Sequence, residues 1–215
     1  TMEQTPGEPA DKLSGELRAA EVAGIAHQLT ETLLALHRAG YCHGDLKPDN
    51  LLVERLGAEP PRATLIDFGL IFESGSEQAG IRGTARYIAP ELLVADDVES
   101  PERCDIYALG VILYELLTGT RPWEDMPARE ILDRTVTEEP EPPRRRAPWA
   151  SIPAELERIC LRAMAKEPDD RTESAAVLAR RIEEALAGER EAQRLESEAK
   201  AKVFEADRWL QRLDG

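Results

Sequence analysis

The chain has 215 residues, enough for one substantial core with an appendage. Its 42 Asp and Glu against 27 Lys and Arg leave a formal net charge of −15 and a pI near 4.7. That balance argues against nucleic acid and anionic membrane surfaces as partners, because both attract a basic footprint. Cys42, Cys104 and Cys160 are far apart and have no CxxC spacing. They predict reduced thiols in a cytoplasmic setting, with no disulfide framework or zinc site. No apolar run reaches the length of a membrane span, and the first residues carry no signal pattern.

Residues 1–12, rich in Pro, Gly and acidic groups, read as an extended segment or loop. From Arg18 to Ala39 the apolar residues Val22, Ile25, Ala26, Leu29, Leu33 and Leu36 keep a helical period, and Gly40 supplies the stop. Two short strands follow, 51–54 and 63–66, joined by a polar turn. The stretch 73–80 has little apolar content. CDIYALGVILYELLTG is apolar on nearly every side, so 103–118 predicts a central buried helix ended by Gly119. A short helix fits 127–135, and the proline-rich 138–148 reads as loop. Helical patterns resume over 153–166, and again from a cap at Thr172 to about Ala187. Beyond that, Leu195, Ala199, Val203, Ala206, Leu210 and Leu213 repeat at three- and four-residue steps, predicting an amphipathic helical tail.

Two stretches carry chemistry. His43–Asn50 reads HGDLKPDN and runs into the first strand; the second strand runs into Asp67-Phe68-Gly69. A site that holds metal and phosphate needs one carboxylate to orient an incoming hydroxyl, and a second, helped by an amide, to clamp Mg²⁺. Taken singly, an Asp, Lys or Asn in a polar loop is a turn or cap residue. Jointly, Asp, Lys at +2, Asn at +5 and a distal Asp-Phe-Gly closely resemble the catalytic and magnesium loops of protein kinases. GTARYIAPE (83–91) resembles the end of a kinase activation segment. On these motifs residues 1–187 resemble the C-terminal lobe of a bacterial serine/threonine protein kinase of the eukaryotic-like superfamily, with 188–215 as the tail. The expected fold is mainly α: a central buried helix, with short strands carrying the catalytic and Asp-Phe-Gly loops.

The resemblance implies roles residue by residue. Asp45 would be the catalytic aspartate, with Lys47 beside the γ-phosphate and Thr84 helping to admit a Ser or Thr of a protein substrate. Asn50 and Asp67 would hold Mg²⁺. Thr1–Gln4 resembles the hinge between kinase lobes, so Met2 would be the gatekeeper and Glu3 and Thr5 would face the adenine of ATP. Glu8 or Asp11 would reach the ribose, and Leu52 would lie under the base. His43 and Phe68 would stack, and Gly69 would free the backbone of a switchable loop. Glu91 would pair with Arg171, and Asp105 would hold the catalytic-loop backbone; these are structural roles.

The sequence also departs from the family. It holds no Gly-rich phosphate loop, no VAIK-type lysine and no partner glutamate, so it is expected to be a fragment whose small lobe is supplied in cis, inactive alone. Gly44 stands where many kinases carry an Arg that pairs with an activation-loop phosphate, so phosphorylation of Ser74 or Ser76 is not expected to be the on-switch. The apolar surface around Met2, Leu52 and Phe68 predicts association of the isolated chain. The alternative function is a non-catalytic, kinase-derived binding module, with the C-terminal helix as a partner surface. Small-molecule kinases of the aminoglycoside or choline type also carry HGD loops, but GTARYIAPE and the central helix separate this chain from them. His27 and His37 read as packing residues without ligand partners, Arg144–Arg146 as a solvated loop, and the three Trp as packing anchors.

Overall fold

A computed structural model describes residues 6–57, 59–68, 71–73, 84–94 and 98–213. The N-terminal stretch is more ordered than its composition suggests. A short strand β1 (Glu8–Pro9) leads into a 3₁₀ turn, Ala10–Leu13, whose Ala10 and Leu13 are buried. Helix α1 (Ala19–Arg38) buries Val22, Ile25, Ala26, Leu29 and Leu33 along one face, as the apolar period requires. Its first turn is closed by the Glu21 carboxylate, which accepts the Arg18 N–H at 2.8 Å.

Four short strands frame the two chemical loops: β2 (Tyr41–Cys42), β3 (Leu51–Glu54), β4 (Arg62–Leu65) and β5 (Phe72–Glu73). Strands β1, β3 and β4 form one antiparallel sheet in that order, with Leu51 opposite Leu65 and Val53 opposite Ala63. Strands β2 and β5 form a second, with Cys42 opposite Phe72. Each loop therefore starts on one sheet and ends on the other. Residues 43–50 hang between β2 and β3, and residues 66–71 between β4 and β5.

Helix α2 (Glu91–Val94) precedes α3 (Glu102–Thr118), which is buried continuously from Cys104 to Thr118. A helix apolar all round belongs in the middle of a core, and α3 lies there. It packs against α1 and against α6 (Ala154–Ala163). The approach to α6 is close: a Cβ on Gly110 would lie 2.8 Å from Met164 Cγ and 2.9 Å from Ala163 Cβ. In the chain, α4 (Ala128–Thr137) and α5 (Pro143–Arg146) come between α3 and α6.

Three expectations are corrected here. Residues 143–146 form one helical turn inside the stretch read as loop. Pro143 is tolerated at the first helical position, where its missing N–H breaks no hydrogen bond. The last helix, α7 (Ala175–Leu213), is continuous across 187–188, where the sequence suggested two segments. It starts after Ser174, whose Oγ accepts the Val177 N–H at 3.3 Å, and Thr172 is buried ahead of it. Gly188 costs such a helix only about 1 kcal/mol, and its neighbours are strong helix formers tied by Arg194–Glu198 and Glu196–Lys200 pairs. Trp149 is 75% exposed and anchors nothing. Leu178 and Ile182 of α7 are buried in the core, whereas residues 191–205 are exposed throughout.

Candidate active site

Asp45, Lys47, Asn50 and Thr84 converge through direct hydrogen bonds. Lys47 Nζ donates to Asp45 Oδ2 at 2.6 Å. The Thr84 N–H and hydroxyl donate to Asp45 Oδ1 at 2.9 and 3.2 Å. Asn50 Nδ2 donates to the Asp45 carbonyl at 3.1 Å, which leaves its Oδ1, an oxygen of the kind Mg²⁺ takes, as the free end of the amide. The side chains of Asp45 and Lys47 are 12% and 22% exposed. The carboxylate is thus fixed in direction but still reachable from outside.

Asp105 sets the shape of this loop from below. Its carboxylate accepts the His43 N–H at 2.9 Å and the Gly44 N–H at 3.0 Å. Gly44 has φ of 77°, in the left-handed region where a side chain is strained. A third donor, His37 Nε2, reaches Asp105 Oδ2 at 2.9 Å. His37 therefore has a carboxylate partner, contrary to its reading as a packing residue. The ligand atoms of His37, Cys42 and Asp105 lie within 4.8 Å of one another, but three donors already hold the Asp105 carboxylate. That group is a loop anchor.

His43 is buried, and burial is the largest influence on its imidazole, pushing it below the usual histidine range against the pull of Asp105, Asp45 and Asp67. The ring is neutral near pH 7. Its Nδ1 accepts the Asp45 N–H at 3.3 Å, which places the proton on Nε2, a position with no hydrogen-bond partner among the described residues. Its ring lies 5.7 Å from that of Phe68 at a tilt of 58°, a tilted contact and not a parallel stack, and Phe68 is 46% exposed. Asp67 has φ of 62°, an uncommon conformation for a side-chain-bearing residue and one found at functional loops. The two loops are tied directly by the Ile66 N–H, which donates to the Asn50 carbonyl at 2.8 Å.

The nucleotide-facing expectations are only partly within reach. Leu52 sits on β3 opposite Thr64 and Pro9, turned away from the buried Leu51–Val53 face, and Glu8 lies opposite Val53. Met2, Glu3, Thr5, Gly69, Ser74 and Ser76 lie outside the described residues.

Two buried networks fasten the segment after Thr84. Arg171 forks onto Glu91 at 2.6 and 2.8 Å. Burial pushes the Glu91 carboxyl up, but the hydrogen bonds and charge of Arg171 outweigh it and hold the group below the usual carboxylate range. Cys104 Sγ adds a donor to Glu91 at 3.2 Å. Further along, the Tyr87 hydroxyl donates to Glu115 at 2.7 Å and Arg121 Nε donates to the same carboxylate at 3.2 Å. The sequence reading missed His37, Cys104 and the Tyr87–Glu115–Arg121 network. The available signal was Glu115 itself, a carboxylate inside an apolar helix that must find donors. Beside Gly44, a cavity of about 30 Å³ is walled by Phe72, Tyr87, Leu92, Pro101 and Ala108, with Asp45, Thr84 and Asp105 also on its lining.

The sequence profile of the protein kinase domain family matches residues 2–182. Among curated proteins, the chain is similar to the serine/threonine-protein kinase pkn3 of Myxococcus xanthus, 39% identical over 167 residues, covering 74% of this chain and 30% of that protein. It is similar to the serine/threonine-protein kinase Pkn1 of the same organism, 37% identical over 192 residues, covering 86% of this chain and 27% of that protein. The serine/threonine-protein kinase PknB of Mycolicibacterium smegmatis is 34% identical over 165 residues, covering 74% of this chain and 25% of that protein. The chain spans less than a third of the length of these relatives.

Proposed function

This chain belongs to the protein kinase domain family, and on that premise we propose that it carries the catalytic loop of an enzyme moving the γ-phosphoryl group of ATP to Ser or Thr of a protein. The observation that carries this reading is the set of hydrogen bonds joining Asp45, Lys47, Asn50 and Thr84. In the balanced reaction, the acceptor Oγ bonds to the γ-phosphorus, the bond to the bridging oxygen breaks, ADP leaves and the hydroxyl proton is released. Asp45 accepts a hydrogen bond from the incoming hydroxyl and takes its proton, a task that needs direction more than basicity. Lys47, held against Asp45, puts a positive charge beside the transferred group. Thr84 keeps the carboxylate from rotating and narrows the approach to a small aliphatic hydroxyl.

Asn50 Oδ1 and the Asp67 carboxylate are the hard oxygen donors suited to Mg²⁺, and the positive φ of Asp67 is the kind of strained backbone that a ligating loop keeps. Mg²⁺ when bound neutralises charge on the phosphates. Leu52 and Glu8 form the wall and edge of β1–β3 against which a nucleotide base and ribose would rest. Because these 215 residues contain no Gly-rich loop and no VAIK-type lysine, we take phosphoryl transfer to require further polypeptide, with this chain inactive alone.

The test is transfer of radiolabel from ATP to a mixed Ser/Thr acceptor protein by the natural polypeptide that contains this chain. Wild type should label Ser and Thr, and Asp45→Asn should lose the signal at unchanged folded content. Labelling that survives Asp45→Asn contradicts the assignment.

A further inference from the structure

The exposed half of α7 is a built surface that phosphoryl transfer does not use. Leu195 and Val203 are 53% and 61% exposed, and every residue from 191 to 205 faces solvent. Leu195, Ala199, Val203, Ala206, Leu210 and Leu213 span 18 positions in five steps. That is about 3.6 residues per step, the period of a straight helix, so these positions line one side without drifting around it. Ala192, Ala199 and Ala206 recur every seventh residue, and small side chains at a helix contact let two axes come close.

Charge identifies the occupant. Over 189–213 six basic residues balance six acidic ones, so the segment is neutral while the rest of the chain carries the whole −15. The neutrality hides an asymmetry. Residues 189–198 hold four acidic and two basic side chains; residues 199–213 hold four basic and two acidic. The segment is a dipole, negative toward the domain and positive away from it. A second copy laid antiparallel sets each acidic half on a basic half. It also opposes the helix dipoles and keeps two strongly acidic domains at opposite ends of a rod about 37 Å long. A parallel pair would instead match like halves and bring the domains side by side. A strongly basic partner would be drawn to the acidic domain before this neutral stripe.

We propose that residues 189–213 are a self-association surface, on which a second copy of this chain docks antiparallel along the Leu195–Leu213 stripe. The proposal is independent of the kinase reading. It makes the tail a spacer that holds two kinase-family domains apart.

Sedimentation equilibrium of the whole 215-residue chain tests it. At about 100 µM, far above a micromolar Kd, the wild type should have twice the 23.9 kDa chain mass. The Leu195→Glu/Val203→Glu variant should bind itself at least tenfold more weakly, and should keep the wild-type melt at concentrations low enough that both are monomers, because both positions are exposed in the single chain. Raised salt should weaken the wild-type dimer. Orientation is read from single cysteines: Glu191→Cys mixed with Arg212→Cys should cross-link, and neither should cross-link with itself. A monomer at 100 µM overturns the proposal. A dimer untouched by the double substitution, seated on the Phe68 face for example, overturns it as well, and self-cross-linking of Glu191→Cys overturns the antiparallel arrangement.

Discussion

Replacing Glu91 by Ala should be among the most damaging single changes in the molecule, and the structure says why. The Arg171 side chain is fully buried. Besides its fork onto Glu91 it donates to the carbonyls of Ala165, Arg103 and Lys166 at 3.0, 2.9 and 3.1 Å, and it lies 5.2 Å from the Tyr107 ring. Those neutral partners remain in Glu91→Ala, but the counter-charge is gone. An uncompensated buried charge of this kind costs about 3–5 kcal/mol. For a chain of this length each kcal/mol moves Tm by about 2–4 °C, so Tm should fall by roughly 6–20 °C. Arg171→Met should cost a similar amount by stranding the carboxylate. The double variant Glu91→Leu/Arg171→Met should recover much of the loss, because both charges leave together. Some deficit should remain, since three carbonyls lose their donor. Urea titrations followed by far-ultraviolet circular dichroism on the four proteins give the cycle. Single variants costing under about 1 kcal/mol, or a double variant equal to the sum of the singles, would refute the account of this pair.

Other expectations follow from the same packing. Gly110→Ala should destabilise by about 1–3 kcal/mol, because the new methyl would overlap Ala163 and Met164; a melt unchanged from wild type would contradict the close approach of α3 and α6. Stability should fall on acidification in two stages. The His43 imidazole titrates lower folded than unfolded, so its contribution is complete above the ordinary value of 6.5 and is lost as pH falls below it. The Glu91 carboxyl, also lowered in the fold, holds its contribution above 4.5 and loses it below. Melting temperatures from pH 8 to pH 3 should show both, and His43→Leu should erase the first. Ser74→Ala/Ser76→Ala should leave activity of the full polypeptide within about twofold of wild type, because Gly44 stands where many kinases carry the arginine that pairs with such a phosphate; a many-fold loss in kinase assays would contradict this.

The candidate site residues were legible because they lie close together in the chain. Asp45, Lys47 and Asn50 fall within one loop, and Asp67 follows two residues after the strand that pairs with the strand leaving that loop. The residues that hold the loop in place were harder to read. His37 and Asp105 are 68 positions apart, and Cys104 meets Glu91 across 13 positions and from a different helix. No local pattern marks such a pair; only the rule that a buried carboxylate must find donors points to it. The errors in secondary structure have local causes. Proline was read as excluding helix over 138–148, although Pro143 opens one. A helix was read as ending near Ala187 with a separate tail beyond it, although strong helix formers and ion pairs after Gly188 carry one helix through.

The central claim, that this chain's loops form a nucleotide–magnesium site, is tested most directly by thermal melting with Mg²⁺ and ATP. A ligand bound only by the native state raises Tm by an amount set by its concentration over its Kd. The account predicts a rise that needs both Mg²⁺ and ATP and is absent in Asp67→Ala. No shift at millimolar ATP with Mg²⁺ would contradict it, and so would an equal shift in Asp67→Ala.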